Sequence, residues 1–237
     1  MPEEASSELR CDLLVFDLDG TLIDSEQDLA ASVNATLAFL GREKLPPHRI
    51  AEFIGDGAAM LVRRSLEATG GMDEVALAQA IPFFLDYYRA HNLDFTYAYP
   101  GVISELRKIR ASAPSLPMAI LTNKPYRPSH VICSGLGLSE FFFANYGGDS
   151  FPTKKPDPEG IQALMEEASR ILGRPISPQR TVLVGDSHVD VATARNAGIL
   201  CLGCSYGLAP EKLREADPDA IVNSPTGWLT ALQELLP

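Results

Sequence analysis

Leu13-Leu14-Val15-Phe16-Asp17-Leu18-Asp19-Gly20-Thr21-Leu22 is the stretch on which the reading of this chain turns. Leu13 to Phe16 is a short, wholly apolar run, and it predicts a strand buried on both faces, as in a parallel sheet. Side chains alternate along a strand, so Asp17 and Asp19 point to the same side where the strand ends. Gly20 permits the tight turn that leaves it. Two carboxylates about 4 Å apart repel by roughly 4 kcal/mol at an effective dielectric of about 20. A divalent cation would offset that repulsion. Two aspartates that merely face water after a turn are the plainer reading of this stretch alone, and the rest of the chain has to decide.

Downstream, Ser25-x-x-Asp28 has the form of a helix start, with a hydroxyl cap and an acid in the first turn. Leu29, Val33, Leu37 and Leu40 then mark one helix face, which Gly41 ends. Pro46-Pro47 opens a further segment. Gly55-Asp56-Gly57 makes a turn before the apolar positions Leu61, Val62 and Leu66, and Gly70-Gly71 breaks the chain again. An aromatic-rich helical pattern runs from Val75 to His91, with Pro82 starting or kinking its second half. Residues 25–92 therefore read as an all-helical insertion.

After Tyr99-Pro100-Gly101 the pattern changes. Val102, Leu106 and Ile109 predict a helix, Met118 to Thr122 a buried strand, and the region from Phe141 to Asn145 a third strand. A helix over Ile161 to Leu172 precedes a strand at Thr181 to Gly185. A helix over Val189 to Ala197 precedes a strand at Ile199 to Leu202. Ala220 to Val222 reads as a short edge strand, and Leu229, Leu232 and Leu236 as a closing helix. This alternation predicts an α/β fold: a Rossmann-like parallel sheet with helices on both faces, formed by residues 1–24 and 93–237.

The 237 residues are 46% hydrophobic and 22% charged, with a net charge of −11, an ordinary globular composition. The acidic balance argues against nucleic acid or an anionic membrane as partner. It leaves room for a small anionic substrate, because a bound metal and a few cations can reverse the sign locally. No apolar run approaches the roughly 18 residues of a membrane span. The first eight residues, Met1 to Glu8, are acidic and polar, unlike a signal peptide, so the expected compartment is the cytoplasm. Four cysteines are too few for a disulfide scaffold. Cys201 and Cys204 have redox-motif spacing but lie in an apolar run that reads as buried strand. A monomer and a homodimer are equally open.

In open parallel sheets, ligands bind beyond the carboxyl ends of the strands. Asp17 and Asp19 end the first predicted strand, Thr122-Asn123 the second, and Gly185-Asp186 the fourth. Asp190 follows Asp186 by about one helical turn, so both can face one spot. Lys155 precedes Pro156, which biases its backbone toward an extended form. Each has a dull alternative: a strand-to-helix turn for Thr122-Asn123, a solvated pair for Lys154-Lys155, helix-start acids for Asp186 and Asp190. Their convergence at one sheet edge favours a site. Three acids without a convergent histidine or cysteine cluster suit Mg²⁺ rather than zinc. A carboxylate beside Mg²⁺ can attack phosphorus, a second acid can move protons, and a hydroxyl, an amide and a lysine can hold phosphoryl oxygens.

Asp17-x-Asp19-Gly20-Thr21, Thr122-Asn123, Lys155-Pro156 and Gly185-Asp186-x-x-x-Asp190 resemble, in order and spacing, the four motifs of the haloacid dehalogenase superfamily. The resemblance implies Asp17 as nucleophile, Asp19 as general acid/base, and Thr122 and Lys155, rather than Lys154, as phosphate holders. It implies Mg²⁺ bound by Asp17, the Asp19 carbonyl and Asp186, with Asp190 as ligand or outer support. It also implies that the helical insertion is a cap. Phe53-Ile-Gly-Asp-Gly-Ala58 with Arg63-Arg64, and Tyr99-Pro-Gly-Val102, resemble phosphoglycolate phosphatases. Gly55, Asp56, Gly57, Arg63 and Arg64 thereby become candidate specificity residues. The arginines either meet a substrate carboxylate or are helix-surface charge. The implied activity is Mg²⁺-dependent hydrolysis of a small phosphate monoester, 2-phosphoglycolate first. A sugar phosphomutase or another sugar-phosphate or pyrophosphate phosphatase of the superfamily is the alternative, and a non-catalytic binder of phosphorylated ligands a different class.

Overall fold

The computed structural model describes residues 9–236, so the acidic N-terminal octapeptide lies outside the described residues. In chain order the elements are β1 (Leu13–Phe16), β2 (Ile23–Asp24), α1 (Glu26–Phe39), α2 (Pro47–Ala51), α3 (Ala58–Ala68), α4 (Glu74–His91), β3 (Tyr97–Ala98), α5 (Val102–Ser112) and β4 (Met118–Leu121). There follow α6 (Tyr126–Gly135), β5 (Ala144–Tyr146), α7 (Glu159–Leu172), β6 (Thr181–Gly185), α8 (His188–Ala197), β7 (Leu200–Cys204), α9 (Pro210–Ala216), β8 (Ala220–Val222) and α10 (Trp228–Leu235).

Six strands form one parallel sheet in the order β5-β4-β1-β6-β7-β8. β1 lies at its centre, flanked by β4 and β6, which is why its four residues are fully buried. Leu14 and Phe16 face one side, with Val102, Leu106 and Ile109 of α5, Ile132 of α6, and Trp228 and Leu232 of α10. Leu13 and Val15 face the other, with Ile161 and Leu164 of α7, Val191 of α8 and Leu213 of α9. Each such fully buried Leu, Val or Phe contributes about 1.5–3 kcal/mol.

Helices α1 to α4 pack on one another through Leu29, Val33, Leu37, Ile50, Leu61, Leu66, Phe84 and Tyr88. α4 passes through Pro82 as one helix, with no break there. Two connections join this bundle to the sheet, and they lie side by side. β2 pairs antiparallel with β3, Ile23 opposite Ala98 and Asp24 opposite Tyr97. The buried Asp28 carboxylate of α1 accepts hydrogen bonds from the Phe95 and Thr96 backbone N–H groups at 3.1 and 2.9 Å, and from Thr96 Oγ1 at 2.7 Å. Asp28 is therefore a staple between the connections rather than a helix-start charge alone. Ser25 likewise departs from its expected capping role: its hydroxyl donates to Asp19 Oδ1 at 2.5 Å, and Asp24 Oδ1 accepts the Glu26 N–H instead.

Other departures have local causes. The third strand begins at Ala144, because Phe141 and Phe142 turn inward first and Phe142 packs edge-on against Phe16. Ile199 belongs to the end of α8, where its N–H bonds the Ala194 carbonyl, and β7 runs on to Cys204. Cys201 and Cys204, an odd spacing along β7, fall on opposite faces of the sheet, so they cannot meet. Burial pushes the Cys204 thiol up to about 12, far from a reactive thiolate. No helix among the described residues is long and apolar enough to cross a membrane.

Candidate active site

The carboxyl ends of β1, β4 and β6 are adjacent in the sheet, and they bring together Asp17, Asp19, Thr122, Asn123, Lys155, Asp186 and Asp190. Asp17 follows β1 directly, and its backbone N–H still bonds the Val184 carbonyl, so the neighbouring strand fixes it. Lys155 Nζ lies 2.8 Å from Asp17 Oδ1 and donates to Asp190 Oδ1 at 2.6 Å. Asp190 Oδ2 accepts from the Ser187 N–H at 3.1 Å and the Ser187 hydroxyl at 2.6 Å, a reciprocal cap at the start of α8. Both Asp190 oxygens are thus occupied. Asp186 Oδ2 accepts from the Leu208 N–H at 2.7 Å, while Thr21 Oγ1 reaches its other oxygen at 3.5 Å.

Glycine makes this packing possible at two points. Gly20 has φ +82°, and a Cβ there would overlap the Asp186 carboxylate. A Cβ at Gly185 would overlap the Asp190 carboxyl group.

Burial raises the Asp17 carboxyl to about 6; Lys155 opposes the shift, and the Asp190 and Asp19 charges add to it. Asp186 is pushed well above the carboxylate range by burial and by its Asp190 and Asp17 neighbours. Burial works against the Lys155 ammonium, yet Asp17 and Asp190 hold it above the ordinary lysine range.

Oxygen atoms of Asp17, Asp186 and Asp190 all lie within 4.8 Å of one another, and the three residues are buried. Asp17 Oδ1 accepts no hydrogen bond from the described residues despite its burial. Four carboxylates, counting Asp19, face only two ammonium groups, Lys155 and Lys124. An all-oxygen donor set with unbalanced negative charge fits a hard divalent cation.

Lys124 is the residue that sequence reasoning missed. It is buried, and its Nζ donates to Asp19 Oδ1 at 2.9 Å and Oδ2 at 3.1 Å. Its ammonium also stands over the Tyr88 ring of α4, 4.6 Å from the centroid. A lysine before a proline carries no mark of depth in the sequence; its one signal was adjacency to Thr122-Asn123.

The bundle docks over this edge through the turn at Gly55-Asp56-Gly57. Asn123 Nδ2 donates to the Gly55 carbonyl and to the Lys155 carbonyl, each at 3.0 Å. Lys154 Nζ donates to the Asp56 carbonyl at 2.5 Å, which places it on the turn and not in the cluster. Arg64 pairs with Asp56 at 2.5 Å and donates to the Phe53 carbonyl. Arg63 approaches Glu74 at 3.7 Å and Met72. Neither arginine lines the cavity between bundle and sheet. That cavity has Asp17, Asp19, Thr122 and Lys124 on its floor and Leu29, Ile54, Leu61, Phe84 and Tyr88 on its roof.

A family model described as haloacid dehalogenase-like hydrolase matches residues 14–204, which span the whole cluster. The chain belongs to that family. A phosphoglycolate phosphatase of Pseudomonas putida is 40% identical over 215 residues, covering 89% of this chain and 75% of its own. A phosphoglycolate phosphatase of Chromobacterium violaceum is 40% identical over 206 residues, covering 86% and 89%. Among solved structures, a Haemophilus somnus protein named a predicted phosphoglycolate phosphatase superposes with a TM-score of 0.85 at 28% identity, over 94% of this chain and 98% of the other. A haloacid dehalogenase-like hydrolase of Streptococcus pneumoniae, at 24% identity and a TM-score of 0.78 over 94% and 98%, shows the same fold. This chain thus carries both the family's fold and, at its sheet edge, a buried acid cluster.

Proposed function

We propose that this protein is a Mg²⁺-dependent phosphomonoesterase acting on a small phosphate ester, 2-phosphoglycolate in the first place, through an aspartyl-phosphate intermediate. The observation that carries the reading is Asp17: a buried carboxylate with an oxygen free of hydrogen bonds, set against a buried lysine at the centre of the sheet edge. The names of the relatives at 40% identity support the choice of substrate.

Asp17 attacks phosphorus, the bond to the leaving oxygen breaks, and Asp19 gives that oxygen its proton. Asp19 then takes a proton from the water that attacks the same phosphorus, which releases phosphate and restores the Asp17 carboxylate. Ser25 and Lys124 hold the Asp19 carboxylate in place from two sides. Thr122 and Lys155 hold the phosphoryl oxygens as charge gathers on them. Asn123 serves by fixing the Lys155 carbonyl, since its amide N–H groups are committed to Lys155 and Gly55.

Asp17, the Asp19 carbonyl and Asp186 would hold Mg²⁺, which when bound supplies positive charge between the carboxylates and the phosphoryl group. Asp190 acts as support rather than ligand, because both of its oxygens are taken by Lys155 and Ser187. Residues 25–92 act as a cap over a core formed by 1–24 and 93–237, and its apolar roof keeps bulk water from the intermediate. Phosphate monoesters need barrier reductions above about 20 kcal/mol, so nucleophile, acid, cation and enclosure all belong to one site.

Phosphate release from a panel of phosphate esters, with Mg²⁺ and with EDTA, tests the reading. The expected result is Mg²⁺-dependent turnover with 2-phosphoglycolate highest in kcat/KM. A folded protein that releases no phosphate from any ester would refute it.

A further inference from the structure

We propose that Lys124 is the specificity residue that reads the carboxylate of the leaving group. The inference rests on the 2-phosphoglycolate reading and deepens it.

Among the described residues lining the cavity, Lys124 is the one cation. Lys155 lies deeper, between Asp17 and Asp190. The two arginines that the sequence offered for this task are spent elsewhere, Arg64 on Asp56 and the Phe53 carbonyl, Arg63 toward Glu74. The roof of the cavity is apolar, with Leu29, Ile54, Leu61 and Phe84 above the reacting residues. A carboxylate enclosed there without a cation would be strongly disfavoured. In 2-phosphoglycolate a single methylene separates the ester oxygen from the carboxylate. The group that protonates that oxygen, Asp19, is in contact with Lys124 Nζ at 2.9 Å. A cation touching the acid is therefore within reach of the substrate's second anion. The Tyr88 ring beneath the ammonium fixes its position from the cap side, so closure of the cap and placement of the cation are one event.

The test compares 2-phosphoglycolate with 2-hydroxyethyl phosphate, which has a neutral hydroxymethyl group in place of the carboxylate. Wild-type enzyme is expected to prefer 2-phosphoglycolate by about 100-fold or more in kcat/KM. Lys124→Met should reduce that preference to less than about 10-fold, mainly by weakening the binding of 2-phosphoglycolate and so raising its KM, and Lys124→Arg should restore part of it. Lys124→Gln answers the same question should Lys124→Met fail to fold. Arg63→Gln and Arg64→Gln should keep the wild-type preference. An equal loss on both esters in the Lys124 variants would mean that the lysine acts only through Asp19, and would overturn the proposal, as would collapse of the preference in either arginine variant. Wild-type enzyme with no preference between the esters would overturn the substrate reading as well, and that result is visible before any variant is made.

Discussion

Lys155 Nζ stands 2.8 Å from Asp17 Oδ1, deep beneath the end of the central strand, and the same ammonium is held from behind by Asp190 at 2.6 Å. One lysine is thereby fixed by two carboxylates that approach it from different strand ends. Asp190→Asn removes half of that hold. Replacing one member of a buried charge cluster costs about 3–5 kcal/mol when a partner is left uncompensated, and less where, as here, Asp17 still pairs with the lysine. We expect a loss of about 1–3 kcal/mol in thermal unfolding and a kcat/KM lowered by roughly 10-fold or more.

The two adjacent lysines separate cleanly. Lys155 is buried in the acid cluster, whereas Lys154 reaches out to the Asp56 carbonyl of the cap turn. Lys155→Met should lower kcat by about 100- to 1,000-fold, the usual loss when one stabilising donor is removed. Lys154→Met should act on KM, by less than about tenfold, through weaker docking of the cap. Steady-state kinetics on the two variants check this.

Metal and pH are linked through Asp17. Its carboxyl titrates at about 6 in the folded protein against an ordinary value of 3.8, so the folded state binds the proton more tightly. Without metal, the stability that this provides is present at low pH and is lost as pH rises through about 4 to 6. Asp186 shifts in the same direction and adds to the effect. A divalent cation competes with those protons. Mg²⁺ at about 100 times its Kd should stabilise the protein by about 2.7 kcal/mol near pH 7.5 and by clearly less near pH 5. Differential scanning calorimetry with and without Mg²⁺ at both pH values reads this directly; an equal shift at both would contradict it.

The staple between cap and core is also testable. Asp28→Ala leaves the Phe95 and Thr96 N–H groups and the Thr96 hydroxyl without their acceptor. The expected cost is about 2–4 kcal/mol, a Tm lower by roughly 5–10 °C. Asp28→Asn keeps one acceptor oxygen and should lose less.

Much of this was legible in the chain because the decisive signals are local. The apolar run Leu13 to Phe16 and the alternation after it placed two aspartates at a strand end, and Thr181 to Gly185 did the same for Asp186. Contacts across large sequence separations were not legible. Asp28 meets Thr96 only once the chain has passed through the whole helical insertion, so each looked like ordinary helix-end or loop chemistry. β2 and β3 are two residues each, too short for any periodicity. α6 was hidden by Pro128, which is tolerated because it lies in the first turn, where N–H groups have no partner within the helix. Lys124 and Arg64 were indistinguishable from surface cations by composition; only burial separated the lysine under Tyr88 from the arginine spent on Asp56.

Asp17 carries the central claim, and replacing it is the most direct measurement. With 2-phosphoglycolate and Mg²⁺, the kcat of Asp17→Asn is set beside that of wild type, with circular dichroism and the Tm confirming that the variant is folded. The account predicts a kcat lowered by about 1,000-fold or more, because no other carboxylate occupies the end of the central strand in position to attack. A folded Asp17→Asn that retains turnover within about tenfold of wild type would contradict it.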